Sequence, residues 1–187
     1  MNLYLQLDML FGSPQDQLAL VRCLEEHRTT YPSRYRSCSL IFGAIDQLQG
    51  IADRCGFPTG DWLRLILIYT LRKALRASDL LTPTHRDTFI IILPHTPLAG
   101  AAAVAERLHV LVQKKRFSCG DRQFCLTLSL AVTAIQPYDS LDTLKDRLDQ
   151  TLSLARQSGG NRIRTESDLA SSASSEQSAR VLPEQGS

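Results

Sequence analysis

Residues 89–93, Phe-Ile-Ile-Ile-Leu, offer no polar side chain to either face of a strand. Such a strand belongs at the centre of a sheet covered on both sides. It is preceded by a polar bend, THRDTF (84–89), which separates it from RASDLL (76–81). Two strand-like runs joined by a short bend predict a hairpin. The bend holds no glycine, however, and sets His85, Arg86 and Asp87 side by side.

The remaining segments alternate in period. PQDQLALVRCLEEHR (14–28) predicts a helix opened by Ser13 and Pro14. SLIFGAI (39–45) reads as a buried strand, followed by a short helix at about 47–54. GDWLRLILIYTLRKAL (60–75) places Leu63, Ile66, Leu67, Thr70, Leu71 and Ala74 on one helical face. PLAGAAAVAERLHVLVQKK (97–115) does the same with Ala101, Val104, Ala105, Leu108, Leu111 and Val112. FCLTLSLAVTA (124–134) alternates with period two, so Phe124, Leu126, Leu128, Leu130 and Val132 point one way. SLDTLKDRLDQTLSLARQSGG (140–160) predicts an amphipathic helix with Ser140 as cap and Gly159–Gly160 as stop. The order β-α-α-β-hairpin-β-α-β-α implies an α/β fold, a mixed sheet with helices packed on it.

The 187 residues suffice for one domain with a sizeable core. The net charge of +2 is too small to imply a nucleic-acid or membrane surface. No apolar run is long enough to span a bilayer, and MNLYLQLDML lacks the features of a signal peptide. The odd set Cys23, Cys38, Cys55, Cys119 and Cys125 contains no CxxC pair. These residues are expected to be reduced core thiols of a cytoplasmic protein, and no metal site is expected. After Arg164 the composition turns to Ser, Ala, Glu and Gln. The expected division is therefore a folded domain over 1–164 and a disordered tail over 165–187.

Several strings, in order and at matching spacing, resemble the GGDEF domain, the diguanylate cyclase module of bacterial signalling, over about residues 8–163. CGFPTGDWL (55–63) is the most specific; RASDLL (76–81), AERL (105–108), LTLSLAV (126–132) and ARQSGGNRI (155–163) follow it. The resemblance implies a mostly antiparallel sheet flanked by helices. It also implies an ancestry in condensing two GTP molecules to cyclic di-GMP. In its register HRDTF (85–89) stands where the family has its GGDEF turn.

On the same register the catalytic turn has changed. His85 and Arg86 replace the two glycines that let backbone approach the nucleotide. Asp87 keeps the third position and Thr88 replaces the glutamate at the fourth. Ala44 stands at a metal ligand's place, and Asp46 fills a different family slot. Ala52 replaces an asparagine that holds guanine, while Asp61 keeps the second guanine position. Arg156 stands for a lysine and Gly160 for a basic residue. A divalent ion needs several hard oxygen ligands, and one surviving carboxylate is a poor site. The expectation is that cyclase activity is lost and that no cofactor is needed, magnesium entering only with residual activity. Asp61 could instead cap its helix and Asp87 stabilise its turn. Arg86 could pair with Asp87 or with another chain.

The family's product-binding inhibitory site is retained. It is an RxxD five residues before the turn plus an arginine on the next helix, here Arg76, Asp79 and Arg107. A guanidinium can donate two parallel hydrogen bonds to guanine O6 and N7, a pairing that discriminates by roughly 1–3 kcal/mol. It also pairs well with phosphate. The resemblance thus implies a cyclic di-GMP receptor that takes an intercalated ligand dimer and signals to a protein partner, either a second copy or a signalling or biosynthetic protein. Some degenerate domains of this family control exopolysaccharide synthesis and biofilm formation in this way. Three alternatives stay open: a plain ion pair at 76–79, a divergent cyclase using Asp87, Asp46 and Asp61, and a ligand-free interaction module. Few residues precede the first helix, so no input domain is expected within the chain.

Overall fold

The computed structural model describes residues 37–84, 87–136 and 139–169. The helix expected at 14–28, His85, Arg86 and Cys23 lie outside them. Strand β1 (Ser39–Ile45) is followed by helices α1 (Leu48–Cys55) and α2 (Phe57–Ala74). Strands β2 (Leu80–Pro83) and β3 (Thr88–Leu93) precede helix α3 (Leu98–Lys114). Strands β4 (Arg116–Cys119), β5 (Arg122–Cys125) and β6 (Leu128–Ala134) lead to helix α4 (Leu141–Gln157) and strand β7 (Ile163–Thr165).

Five strands form one sheet in the order β2-β3-β1-β6-β7. Strand β1 pairs antiparallel with β3 and β6, and β2 pairs antiparallel with β3, so the hairpin expected at 76–93 is present. Only β6 and β7 run parallel, joined by α4 as a parallel pair requires. Strand β3, apolar from Phe89 to Leu93, is internal, as that composition demands. Ile41, Ile45, Phe89, Ile91 and Leu93 pack with Leu63, Leu67, Leu71, Ala105 and Leu108 from the helices. The opposite face carries Leu40, Phe42, Ala44, Ile90 and Ile92 in one cluster with Leu144, Leu148 and Leu152 of α4.

Four expectations need correction. Helix α2 opens at Phe57 rather than residue 60, with Pro58 in its first turn, where a missing N–H costs nothing. The run 124–134 is not one strand: β5 closes a separate hairpin on β4, and the chain resumes as β6. Period two persists across the break because Phe124, Leu126 and Leu128 all pack on the same core. The expected boundary after 164 cuts β7, which Thr165 ends; Thr165 donates through N–H and hydroxyl to Asp168 (2.7 and 3.1 Å), Arg147 pairs with Glu166 at 3.3 Å, and residues 170–187 of the expected tail lie outside the described residues. Finally, Cys38 is buried, but Cys55 and Cys119 are only partly so and Cys125 is exposed.

Candidate functional site

One edge of the sheet gathers the C-terminal end of β1, the hairpin tip before β3, the start of α2 and the end of α4. Asp87 is fixed by its main chain, whose carbonyl accepts from the Ile45 N–H at 2.7 Å. Its carboxylate accepts from Arg156 at 2.6 Å, in a pair that stays 37% and 44% exposed. Thr88 is buried and its hydroxyl lies 2.6 Å from that of Thr84. Asp87 therefore has an ion-pair partner on the last helix, 69 residues away.

Asp46 serves a different purpose. Its carboxylate accepts from the hydroxyls of Thr127 (2.8 Å) and Ser129 (2.7 Å) and from the Asn161 N–H (2.9 Å). It thus ties β1 to β6 and to the loop that follows α4. Gly160 fits against it: φ is +69°, and a Cβ there would lie 3.3 Å from Asp46 Oδ1. Ala44 is wholly buried on the α4 side, so the position expected of a metal ligand is a core methyl.

Between α1, α2 and the hairpin tip lies a cleft of about 240 Å³, lined by Leu48, Ala52, Phe57, Gly60, Asp61 and Asp87 among others. Gly60 is required there, since a Cβ would stand 2.8 Å from that of Ala52. Asp61 is exposed at this wall, one turn inside a helix that opens at Phe57 without a side-chain cap, so it does not cap α2. The cleft thus joins Asp61 to Asp87, with Arg156 held against Asp87. Among the described residues no cluster of three His, Cys, Asp or Glu is arranged to hold a metal ion.

A second cluster surrounds the turn after α2. The Arg107 guanidinium donates to the Ala74 carbonyl at 3.0 Å, satisfying a helix-end acceptor with a cation where the helix dipole favours one. Arg72 donates to the Asp79 carbonyl at 2.6 Å. Asp79 is only 2% exposed, and its carboxylate accepts from the Arg76 N–H (2.9 Å) and the Ser78 hydroxyl (3.3 Å). Asp79 therefore meets Arg76 through the Arg76 main chain, in a turn outside the helix, and both Arg76 and Arg107 are exposed. Arg72, Thr127, Ser129 and Asn161 escaped notice in the sequence. All four sit in strings already singled out, Arg72 in 60–75, Thr127 and Ser129 in 126–132 and Asn161 in 155–163, but nothing in the spacing marks the atoms they hold.

The chain matches the family model for the diguanylate cyclase GGDEF domain over residues 18–162. It is 33% identical over 125 residues to diguanylate cyclase DgcM of Escherichia coli K12, covering 67% of this chain and 30% of that protein. Response regulator PleD of Caulobacter vibrioides is 30% identical over 122 residues, 64% of this chain and 27% of its own length. The chain therefore spans under a third of these relatives. Among solved structures, the GGDEF domain of DgcB from Caulobacter crescentus, in complex with c-di-GMP, superposes with a TM-score of 0.74 at 19% identity, covering 81% of this chain and 88% of that one. The FimX GGDEF domain from Pseudomonas aeruginosa gives 0.69 at 18% identity, covering 80% and 91%. With the fold and the family match in agreement, the chain belongs to the GGDEF, or diguanylate cyclase, domain family.

Proposed function

We propose that this GGDEF domain has lost cyclase chemistry and binds cyclic di-GMP at the turn formed by Arg76, Asp79 and Arg107, passing the signal to a protein partner. The observation that carries the reading is the convergence on one turn. Arg107 is anchored to the Ala74 carbonyl, two residues before Arg76, and both side chains are exposed. Two guanidiniums on one patch suit a dianionic ligand with two guanine edges. Asp79 holds the turn in shape through the Arg76 N–H. Asp79 is 2% exposed, so it must be uncovered before it can accept from a guanine edge, and ligand binding would reorder residues 76–79.

The loss of chemistry rests on the other cluster. Transfer between two GTP molecules needs metal ions and a phosphate cradle more than covalent help. Ala44 is a buried methyl, Asp46 already accepts three donors, and Asp87 is paired with Arg156. A divergent cyclase remains the second reading, favoured by the cleft that still joins Asp61 and Asp87. Incubation with GTP and magnesium separates the two: no cyclic di-GMP is expected, and turnover lost in Asp87→Ala would establish the second reading. Equilibrium dialysis with Arg107→Ala tests the first; retention of cyclic di-GMP at wild-type affinity would remove Arg107 from the site.

A further inference from the structure

Helix α2 buries one face and leaves a second apolar stripe in solvent. Leu63, Leu67 and Leu71 are fully buried, whereas Trp62, Leu65 and Tyr69 are 47%, 61% and 63% exposed. The spacing i, i+3, i+7 puts these three side chains on one line about 10 Å long. The side chains at both ends of the line have neighbours. The Trp62 indole N–H donates to the Ser118 carbonyl of β4 at 3.2 Å, and the Lys73 ammonium lies 5.4 Å from the centre of the Tyr69 ring.

The stripe lies in a cationic surround. Residues 62–76 contain Arg64, Arg72, Lys73 and Arg76 and no acid. The end of α3 and the start of β4 alongside add Lys114, Lys115 and Arg116, with the Lys115 ammonium 2.9 Å from the Thr70 hydroxyl of α2; the nearest acids in sequence are Asp61, the buried Asp79 and Asp121. With a net charge of only +2, this is a local concentration of positive charge. Exposed aromatic and arginine side chains set together are the composition of binding hot spots.

We propose that the Trp62–Leu65–Tyr69 face is a docking surface for an acidic amphipathic helix of a partner protein. Three anchors in one line match the apolar edge of a single helix, and the lysines and arginines around them match acidic flanks. A second copy of this chain fits less well. On α4 its acids Asp142, Asp146 and Asp149 have no exposed large apolar side chain beside them among the described residues, and on α3 Glu106 is accompanied by only one, Val110. A lipid surface also fits less well, because membrane-lying helices offer their main apolar face, and that of α2 is in the core. The C-terminal end of the stripe adjoins the turn after α2, since Arg72 holds the Asp79 carbonyl. The docking surface does not depend on the ligand reading and stands without it.

Trp62 is the single tryptophan of the chain, so its fluorescence reports on this face directly. The full chain, without nucleotide, is titrated with a synthetic peptide carrying leucines at i, i+3, i+4 and i+7 and glutamates on the flanks. A second peptide has lysines in place of the glutamates. The acidic peptide is expected to give a saturable blue shift that weakens with salt, and the basic peptide none. Leu65→Glu and Tyr69→Ala, at exposed positions that leave the reporter in place, should each weaken binding about tenfold with unchanged thermal melts. The proposal is overturned by no response, by equal response to both peptides, or by binding unchanged in both variants. It is overturned equally by a shift seen only with phosphatidylserine vesicles, or by one that follows protein concentration alone together with dimer formation in sedimentation.

Discussion

Asp46 and Asp87 are both acids at the same edge of the sheet, and their surroundings give them different work. Asp46 accepts three donors, so Asp46→Asn turns an amide N–H₂ toward groups that donate. The expected loss is about 1–3 kcal/mol of stability, read by urea denaturation. The Asp87–Arg156 pair is exposed at both ends, so Arg156→Ala should cost under about 1 kcal/mol in the same assay. On α4, partial loss of water raises the pKa of Asp149, with Asp146 adding to the rise and Lys145 opposing it. A carboxyl whose folded-state pKa is raised takes up protons more readily folded than unfolded. It therefore disfavours folding at neutral pH, and that penalty is relieved as pH falls through the folded value. Asp149→Asn should slightly raise the melting temperature at neutral pH and remove its share of the change on acidification. At this scale the sequence singled out Asp87 at the bend, and the structure gives that side chain an ion-pair partner. The sequence did not reveal that Arg156 would meet Asp87, because that contact depends on where α4 ends over the sheet.

Strands and helices were legible where burial imposes a period. The internal place of β3 follows from its two apolar faces, and Ser140 caps α4 through a reciprocal pair with Thr143, as its position before the apolar run implies. The β4–β5 hairpin was not legible, since four-residue strands with mixed exposure carry little periodic signal. The turn between them uses Gly120 at φ +58°. Strand β7 is three residues long and owes its place to pairing with β6, a tertiary effect. One close approach within the sheet is testable. Gly43 faces Phe89 across the β1–β3 ladder, and a Cβ there would collide with the ring. Gly43→Ala should destabilise by about 1–3 kcal/mol in thermal or urea melts. Combined with Phe89→Leu the cost should be less than the sum, because the smaller side chain frees the space.

At the scale of the molecule two clusters lie on one fold, the hairpin tip around Asp87 and the turn after α2 around Asp79. The proposal assigns a loss of chemistry to the first and ligand binding to the second. Coverage of under a third of DgcM and PleD means that the activities of those whole proteins are not carried over. Calorimetric titration of cyclic di-GMP into the wild-type chain and into Arg76→Ala, with GTP as control, tests the central claim most directly. The account predicts micromolar or tighter binding to the wild type, a loss of at least about tenfold in Arg76→Ala, and no comparable heat from GTP. No binding of cyclic di-GMP to the wild type, or equal binding to both proteins, would contradict it.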